Sequence, residues 1–195
     1  QTQDMDAQTV REFVGDIEQE SERLARITEN LLRLTRLDSG LLPEAQRVDL
    51  SPVVARVARM LRLVAEEKKV DLSYEVRREG QTLASEDEIH EIIYNLTENA
   101  IKYNHPDGFV KLALAGDEDN CLLTVSDDGI GIPEEDMPRI FDRFYRVDKM
   151  RSRAAGGTGL GPSIAADTAR RPRGRIQVRG REGGGHAITL GRPAR

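Results

Sequence analysis

The chain has 195 residues, 38% hydrophobic and 32% charged, which suits one medium domain plus an appendage, with enough apolar material for a core. Lys plus Arg number 29 and Asp plus Glu 34, and the net charge of −5 argues against a general nucleic-acid binder. Cys121 is the single cysteine, which excludes an intramolecular disulfide and a multi-cysteine metal cage and fits a reducing compartment. No apolar run approaches the roughly 20 residues that a membrane helix needs, and the first residues are polar and acidic, unlike a signal peptide.

The spacing predicts a long helix over 6–38. Val10, Phe13, Ile17, Leu24, Ile27, Leu31 and Leu34 step by threes and fours, with Glu20 as the polar break. These are a and d positions of a heptad pattern. Such a stripe needs partner helices, and its regularity favours a bundle with a second copy over packing on its own domain. Ser39-Gly40 is expected to end the helix and Pro43 to prevent a restart. The domain boundary is therefore drawn between residues 42 and 43, leaving 43–195 as the second domain.

Beyond the boundary, strands and helices mix. Residues 47–50 read as a short strand. Ser51 before Pro52 reads as an N-cap, and Val53, Val54, Val57, Met60, Leu61 and Val64 as the face of the helix that follows. Residues 70–76 alternate as a strand. Ser85 with Glu88 is a capping box, opening a helix whose apolar face is Ile89, Ile92, Ile93, Leu96 and Ala100. Two strands, 109–115 and 121–125, are joined by a turn over 116–120. A Gly-rich charged stretch runs over 129–161, a short helix reaches about residue 169, and 176–178 and 187–190 read as closing strands. The expected fold class is α+β: a two-layer α/β sandwich with helices on one face of a mixed sheet. From residue 170 onward there are eight Arg and one Glu. With no aromatic residue for base stacking, this basic end reads as solvated surface.

Four short stretches carry candidate chemistry. Asn95 and Asn99 lie four apart on one helix, with Lys102 three further on the same side. A neutral oxygen donor for a hard metal beside a cation suits a magnesium–triphosphate site, though the same residues also suit a plain surface. Asp127 ends an apolar strand and is followed by Asp128-Gly129-Ile130-Gly131. A carboxylate there can accept from an exocyclic amine such as that of adenine; the alternative is a common Asp-Gly turn. Gly157-Thr158-Gly159-Leu160-Gly161 opens a helix and offers backbone N–H groups to phosphate, or else is a linker. It has neither the Lys-Ser/Thr of a Walker loop nor the context of a dinucleotide fingerprint. Phe141-Asp142-Arg143-Phe144-Tyr145-Arg146 interleaves aromatics with cations, as a mobile loop's anchor or as a small satellite core.

In order, these stretches resemble the N, G1, F and G2 boxes of the sensor histidine kinases: Asn95-Leu-Thr-Glu-Asn-Ala-Ile-Lys-Tyr103, Asp127-Asp-Gly-Ile-Gly131, Phe141-Asp-Arg-Phe144 and Gly157-Thr-Gly-Leu-Gly161. The helix ending Leu34-Thr-Arg-Leu-Asp-Ser-Gly40 resembles the second helix of that family's dimerisation and phosphoacceptor domain. The resemblance covers nearly the whole chain. It implies a Bergerat-type ATP-binding fold over 43–195 and a dimerisation helix over 1–42. It implies ATP and Mg²⁺ as cofactors, with Asn99 on the metal and Asn95 supporting the phosphate and metal region. Lys102 would contact phosphate, Tyr103 would lie near the nucleotide and Asp127 would bind the adenine amine. Gly129, Gly131, Gly157, Gly159 and Gly161 would shape the pocket and its lid, with Thr158 and Leu160 in the G2 box and Phe144 in the F box. Arg146, with Arg143 second, would approach the terminal phosphate, and residues 133–156 would form the lid.

Hydrolytic relatives of the gyrase and mismatch-repair type carry a Glu where this chain has Asn95, which cannot act as a general base. Glu98, adjacent in sequence to Asn99, is rotated about 100° away from that residue on the helix. The resemblance therefore implies a protein-histidine kinase, a homodimer through its N-terminal helix, that passes the phosphoryl group on to a response regulator. Departures are Pro162 after the G2 box, Arg170-Arg-Pro-Arg-Gly174 in place of a His-Gly-Gly-like turn, and a loose final hairpin over 182–189. The family's acceptor is a His followed by an acidic residue and, a few residues on, a Pro. Only His90, His105 and His186 are present. His90-Glu91 lacks the Pro and lies on the N-box helix. The acceptor helix is thus expected upstream of residue 1. The chain is expected to be a cytoplasmic portion of a protein anchored in the membrane through upstream segments. The other reading is a nucleotide-binding or dimerisation module without phosphotransfer.

Overall fold

The computed structural model describes residues 7–38, 45–78, 80–116, 120–143, 145, 147, 161–169, 175–180 and 184–193. The expected helix stop at Ser39-Gly40 and Pro43, the turn residues 117–119, Phe144, Arg146, the G2 positions 157–160, the Arg-rich turn 170–174 and residues 182–183 lie outside the described residues.

Helix α1 spans Ala7–Asp38. Then follow β1 (Gln46–Asp49), α2 (Leu50–Lys68), β2 (Asp71–Val76), β3 (Gln81–Ala84), α3 (Glu86–Lys102), β4 (Phe109–Gly116), β5 (Asn120–Asp127), a single 3₁₀ turn (Met137–Arg139), α4 (Gly161–Ala169), β6 (Arg175–Gly180) and β7 (His186–Pro193). Five strands form one sheet in the order β2-β4-β5-β7-β6, while β1 and β3 form a separate antiparallel pair. Only β2 and β4 run parallel; the other pairs of the large sheet are antiparallel. A parallel pair needs a crossover, and here the connection through β3 and α3 supplies it. Helices α2, α3 and α4 pack side by side, and α2 and α3 lie on the sheet, which is the expected two-layer sandwich.

Alternation builds the core. Val110, Leu112 and Leu114 of β4 and Cys121, Leu123 and Val125 of β5 point inward. They meet Ile89, Ile92, Ile93, Leu96 and Ala100 of α3, the face read from the sequence, together with Ile101. The Ser85 hydroxyl accepts the Glu88 N–H at the start of α3, as the capping box requires. Pro162 is the second residue of α4, where a missing N–H costs nothing, and the helix runs on with Ser163, Ile164, Ala165 and Ala166 buried.

Three details differ from the sequence reading. The cap of α2 is Asp49, whose carboxylate accepts the Ser51 N–H at 2.9 Å, so Ser51 is already helical and Pro52 is the third residue. Leu50 is fully buried and draws the chain into the helix early. The buried stripe of α2 is Val54, Ala58, Leu61 and Ala65 flanked by Val53 and Val57. Met60 and Val64, on the edge of that face, are exposed. Strand β3 was not expected, because Gln-Thr-Leu-Ala carries too little apolar signal; it exists by pairing with β1, in register Val48↔Thr82.

Helix α1 comes against α4 but leaves much of its stripe open. Val10, Phe13, Ile17 and Leu24 are each 42–58% exposed, and Val14 and Leu32 are exposed as well. These six side chains are therefore not folded back on the domain.

The layered core sets the first expectation. Leu112→Ala removes a side chain with no exposure and should lower unfolding stability by about 2–5 kcal/mol in denaturant titration. Met60→Ala should stay within about 0.5 kcal/mol. Equal losses would contradict the assigned core.

Candidate functional site

The site residues gather where α3 ends against β5. With its apolar face on the sheet, α3 turns Asn95, Asn99 and Lys102 to the opposite side, where all three are half-buried. The Lys102 ammonium lies 5.6 Å from the centre of the Tyr103 ring. Tyr103 caps the helix, its N–H donating to the Asn99 carbonyl at 3.0 Å. Its own carbonyl accepts the Ile130 N–H at 3.1 Å, which ties the N-box helix directly to the loop after β5.

That approach requires Gly129. A Cβ there would stand 2.6 Å from the Tyr103 carbonyl oxygen and 3.1 Å from Asn104 Cα, far inside contact distance. Gly185 meets the same loop from the other side: it has φ +69°, and a Cβ would fall 2.1 Å from the Asp127 carbonyl. The end of β5 is thus clasped between α3 and the β6–β7 hairpin.

The two adjacent aspartates do different work. Asp128 Oδ1 accepts the Phe109 N–H at 2.7 Å, fastening the start of β4. Asp127 points inward, with its side chain 2% exposed. Its Oδ1 accepts the Gly129 N–H at 3.0 Å. Its Oδ2 is buried without an aligned hydrogen bond and stands 3.2 Å from His186 Nδ1, likewise unbonded. Burial pushes the Asp127 carboxyl above its ordinary range and holds His186 below the histidine range, while each one's charge favours ionisation of the other. A buried acceptor with an open lone pair is rare in a native protein and signals a missing donor.

His105 sits beside this loop. Its Nδ1 is 3.1 Å from the Pro106 carbonyl and its Nε2 3.0 Å from the Asp128 carbonyl. Both partners are acceptors, so both contacts are hydrogen bonds only when the ring carries two protons. His90 lies within α3, its Nε2 buried without a partner and its ring stacked on Tyr94 at 6.2 Å.

Of the other expected site residues, Arg143 donates to Asp167 of α4 at 3.2 Å, an exposed pair. The Tyr145 hydroxyl donates to Asp136, and the Arg139 guanidinium lies over the Tyr145 ring at 4.3 Å. Gly131 has φ 72°, and Gly161 is the first residue of α4. Phe144, Arg146, Gly157, Thr158, Gly159 and Leu160 lie outside the described residues. Sequence reasoning missed the roles of Asp128, Gly185 and His186, and the two carbonyl contacts of His105. The only signal for His186 was its place in the final Gly-rich hairpin, beside the G1 strand.

The family description "Histidine kinase-, DNA gyrase B-, and HSP90-like ATPase" matches residues 84–195, which span α3, the G1 loop and the final hairpin. The chain belongs to this family. Its sequence is 34% identical over 189 residues to the sensor-like histidine kinase SenX3 of Mycolicibacterium smegmatis, an alignment that covers 96% of this chain and 49% of that protein. The chain thus spans about half the length of that relative. In three dimensions it resembles full-length ShkA in complex with AMPPNP, with a TM-score of 0.80 and 24% identity over 98% of this chain and 40% of that one. It also resembles histidine kinase ThkA in complex with response regulator protein TrrA, with a TM-score of 0.76 and 22% identity over 98% of this chain and 53% of that one. The expected α/β sandwich and the resemblance to sensor histidine kinases both hold, and the chain carries a histidine-kinase-type ATP-binding domain. No helix among the described residues is long and apolar enough to cross a membrane.

The two site histidines should titrate on opposite sides of the ordinary histidine value. The His105 ring is raised by its carbonyl contacts and by Asp128 and Asp107, and that of His186 is lowered by burial. The double tie of His105 is complete below the unfolded histidine pKa and is lost as pH rises through the elevated folded one. Ring-proton NMR should place the His105 midpoint well above that of His186; the reverse order would contradict the geometry.

Proposed function

We propose that the chain is the ATP-binding kinase core of a two-component sensor histidine kinase, which transfers the γ-phosphoryl group of Mg·ATP to a histidine on a bundle helix. The single observation that carries this reading is the buried Asp127 Oδ2, open at the end of β5 and tied through Gly129 and Ile130 to the N-box helix. An exocyclic adenine amine is the donor this acceptor lacks. Asp127 binds the base, Gly129 and Gly131 let the loop approach it, and Tyr103 flanks it.

Farther up α3, Lys102 meets phosphate, and Asn95 and Asn99 face the same side. Among the described residues no cluster of three or more His, Cys, Asp or Glu could cage a metal. One neutral amide oxygen, from Asn99, fits an ion whose other ligands are phosphate oxygens and water, as Mg²⁺ prefers. Bound there, Mg²⁺ neutralises charge on the phosphates, while the chain's own residues hold and orient them. Residues 133–156 form the lid, and Gly157, Thr158, Gly159, Leu160 and Gly161 close on the phosphates. Phe144 anchors the lid. Arg146 approaches the terminal phosphate, with Arg143 able to do so once released from Asp167.

Transfer is favoured over hydrolysis because no carboxylate on α3 stands where a water-activating base is needed. Asn95 occupies that place, and Glu98, around the helix, lies at 3.5 Å from the Tyr94 hydroxyl. The three histidines are engaged elsewhere: His90 on Tyr94, His105 on two carbonyls and His186 against Asp127. The phosphoryl group therefore goes to a histidine outside this sequence. The open stripe of α1 supports a role for residues 1–42 as a dimerisation helix, pairing with a second copy beside the catalytic domain of 43–195. A response regulator is the next acceptor, a reading supported by the likeness to histidine kinase ThkA in complex with response regulator protein TrrA. The parent protein is anchored in the membrane by other segments.

Incubation of the chain with γ-labelled ATP and Mg²⁺ should leave it unlabelled at acid-labile positions. A separately supplied acceptor bundle should become labelled, slowly, because covalent linkage no longer raises its effective concentration. Asn99→Ala should reduce the Mg²⁺ dependence of ATP binding. Strong label on His90, His105 or His186 would refute the assignment of an outside acceptor. Tight ATP binding with no label on a competent acceptor would favour a nucleotide-binding module without transfer.

A further inference from the structure

Among the described residues, His186 is the titratable side chain that the final hairpin presses onto the base-binding carboxylate. Its Nδ1 stands 3.2 Å from Asp127 Oδ2, with side-chain exposures of 12% and 2%. Both atoms are buried, and neither has an aligned hydrogen bond. The position is built rather than incidental. Gly185 at φ +69° abuts the Asp127 and Asp128 backbone, and Gly180 packs on His186, where a Cβ would meet the His186 Cβ at 2.6 Å. The β6–β7 register pairs Gly180 with His186, and the β5–β7 register pairs Ser126 with Ala187. The imidazole therefore has little room to swing away.

We propose that His186 is a specificity-determining residue: with Asp127 it forms a proton-sharing pair that accepts a 6-amino purine when deprotonated and stops discriminating against a 6-oxo purine when it takes up one proton. The proposal rests on the ATP-site reading above and adds the residue that sets base choice. With the pair deprotonated, the carboxylate offers Oδ2 to an amine and repels the carbonyl oxygen of a 6-oxo base. One added proton sits on Asp127 or on His186. In the first case Oδ2 becomes a hydroxyl. In the second, Nδ1–H donates to Oδ2 and half neutralises it. In the first case the amine loses its carboxylate acceptor, in the second that acceptor is weakened, and in both the repulsion of the oxo group falls.

Among the described residues the charged and titratable groups that act on the pair are few. Asp128 raises the Asp127 pKa, and the Gly129 and His186 backbone N–H groups lower it. For His186 the opposing influences are burial and Asp127 itself. His105 reaches the Asp128 carbonyl rather than the pair. A site with two proton acceptors takes its first proton at a pH at least as high as either acceptor would alone. Removing the imidazole therefore moves the acid limb of ATP binding to lower pH.

The test is calorimetric titration of the 195-residue chain with Mg·ATP and Mg·ITP between about pH 8 and about pH 5.5, for wild type and His186→Asn. Asn keeps an N–H donor near the Nδ1 position but does not titrate; His186→Ser serves if the Asn variant is unfolded by circular dichroism. In the wild type, the preference for ATP over ITP should narrow by roughly tenfold or more toward acid, the worth of a hydrogen bond to a charged group. In the variant, the acid limb should shift to lower pH and the preference should persist farther down. ATP binding with superimposable pH profiles and constant base preference in both proteins would overturn the role of His186 and leave the ATP site standing. No binding of either nucleotide at any pH would overturn both.

Discussion

The close approach of α3 to the loop after β5 is the constraint on which the rest depends. One backbone carbonyl, that of Tyr103, accepts the Ile130 N–H and leaves no room for a side chain at residue 129. This contact brings the polar face of a helix and the inward end of a strand to one place. The Asp127 carboxylate and the Asn95, Asn99 and Lys102 side chains come from elements that would otherwise be independent. Everything below serves to hold that contact. The apolar face of α3 is fixed on the sheet, Asp128 fastens β4, and Gly185 lets the last hairpin close on the other side.

Burying a carboxylate with one oxygen unpaired is costly, and a fold tolerates the cost where a ligand later removes it. Asp127 is held so: Gly129 satisfies Oδ1 and nothing aligned satisfies Oδ2. The same loop carries a second, opposite device in His105, an exposed ring bridging two carbonyls. One histidine is thus raised and the other lowered within one site, by solvent-facing acceptors in the first case and by burial in the second. On the proposed reading as a kinase core, the final hairpin would share control of base recognition with the G1 strand.

Most of the fold was legible because it rests on strong periodic signals. The faces of α3, β4 and β5 alternate or repeat cleanly, and each proved buried as the pattern required. Strand β3 was illegible since its four residues gain their strand character only from β1. The α2 cap was misplaced because Asp49 and Ser51 are both good cap residues, and the choice between them was made by burial of Leu50. At the site, Asp127 was legible as a candidate because a carboxylate ended an apolar strand. His186 was not, because its meaning comes from a register between strands some sixty residues apart in the chain, as with the Ser126↔Ala187 pairing. The stripe of α1 was readable from its spacing, and its described apolar side chains are exposed.

The central claim is that Asp127 recognises an exocyclic amine, and a modified nucleotide tests it without altering the protein. N6,N6-dimethyl-ATP keeps the triphosphate, the ribose and the ring but cannot donate from the 6 position. In competition against labelled ATP at about pH 8, it should bind at least about tenfold more weakly than ATP, the loss of a charge-assisted hydrogen bond at a buried acceptor. Equal binding of the two nucleotides would contradict the account.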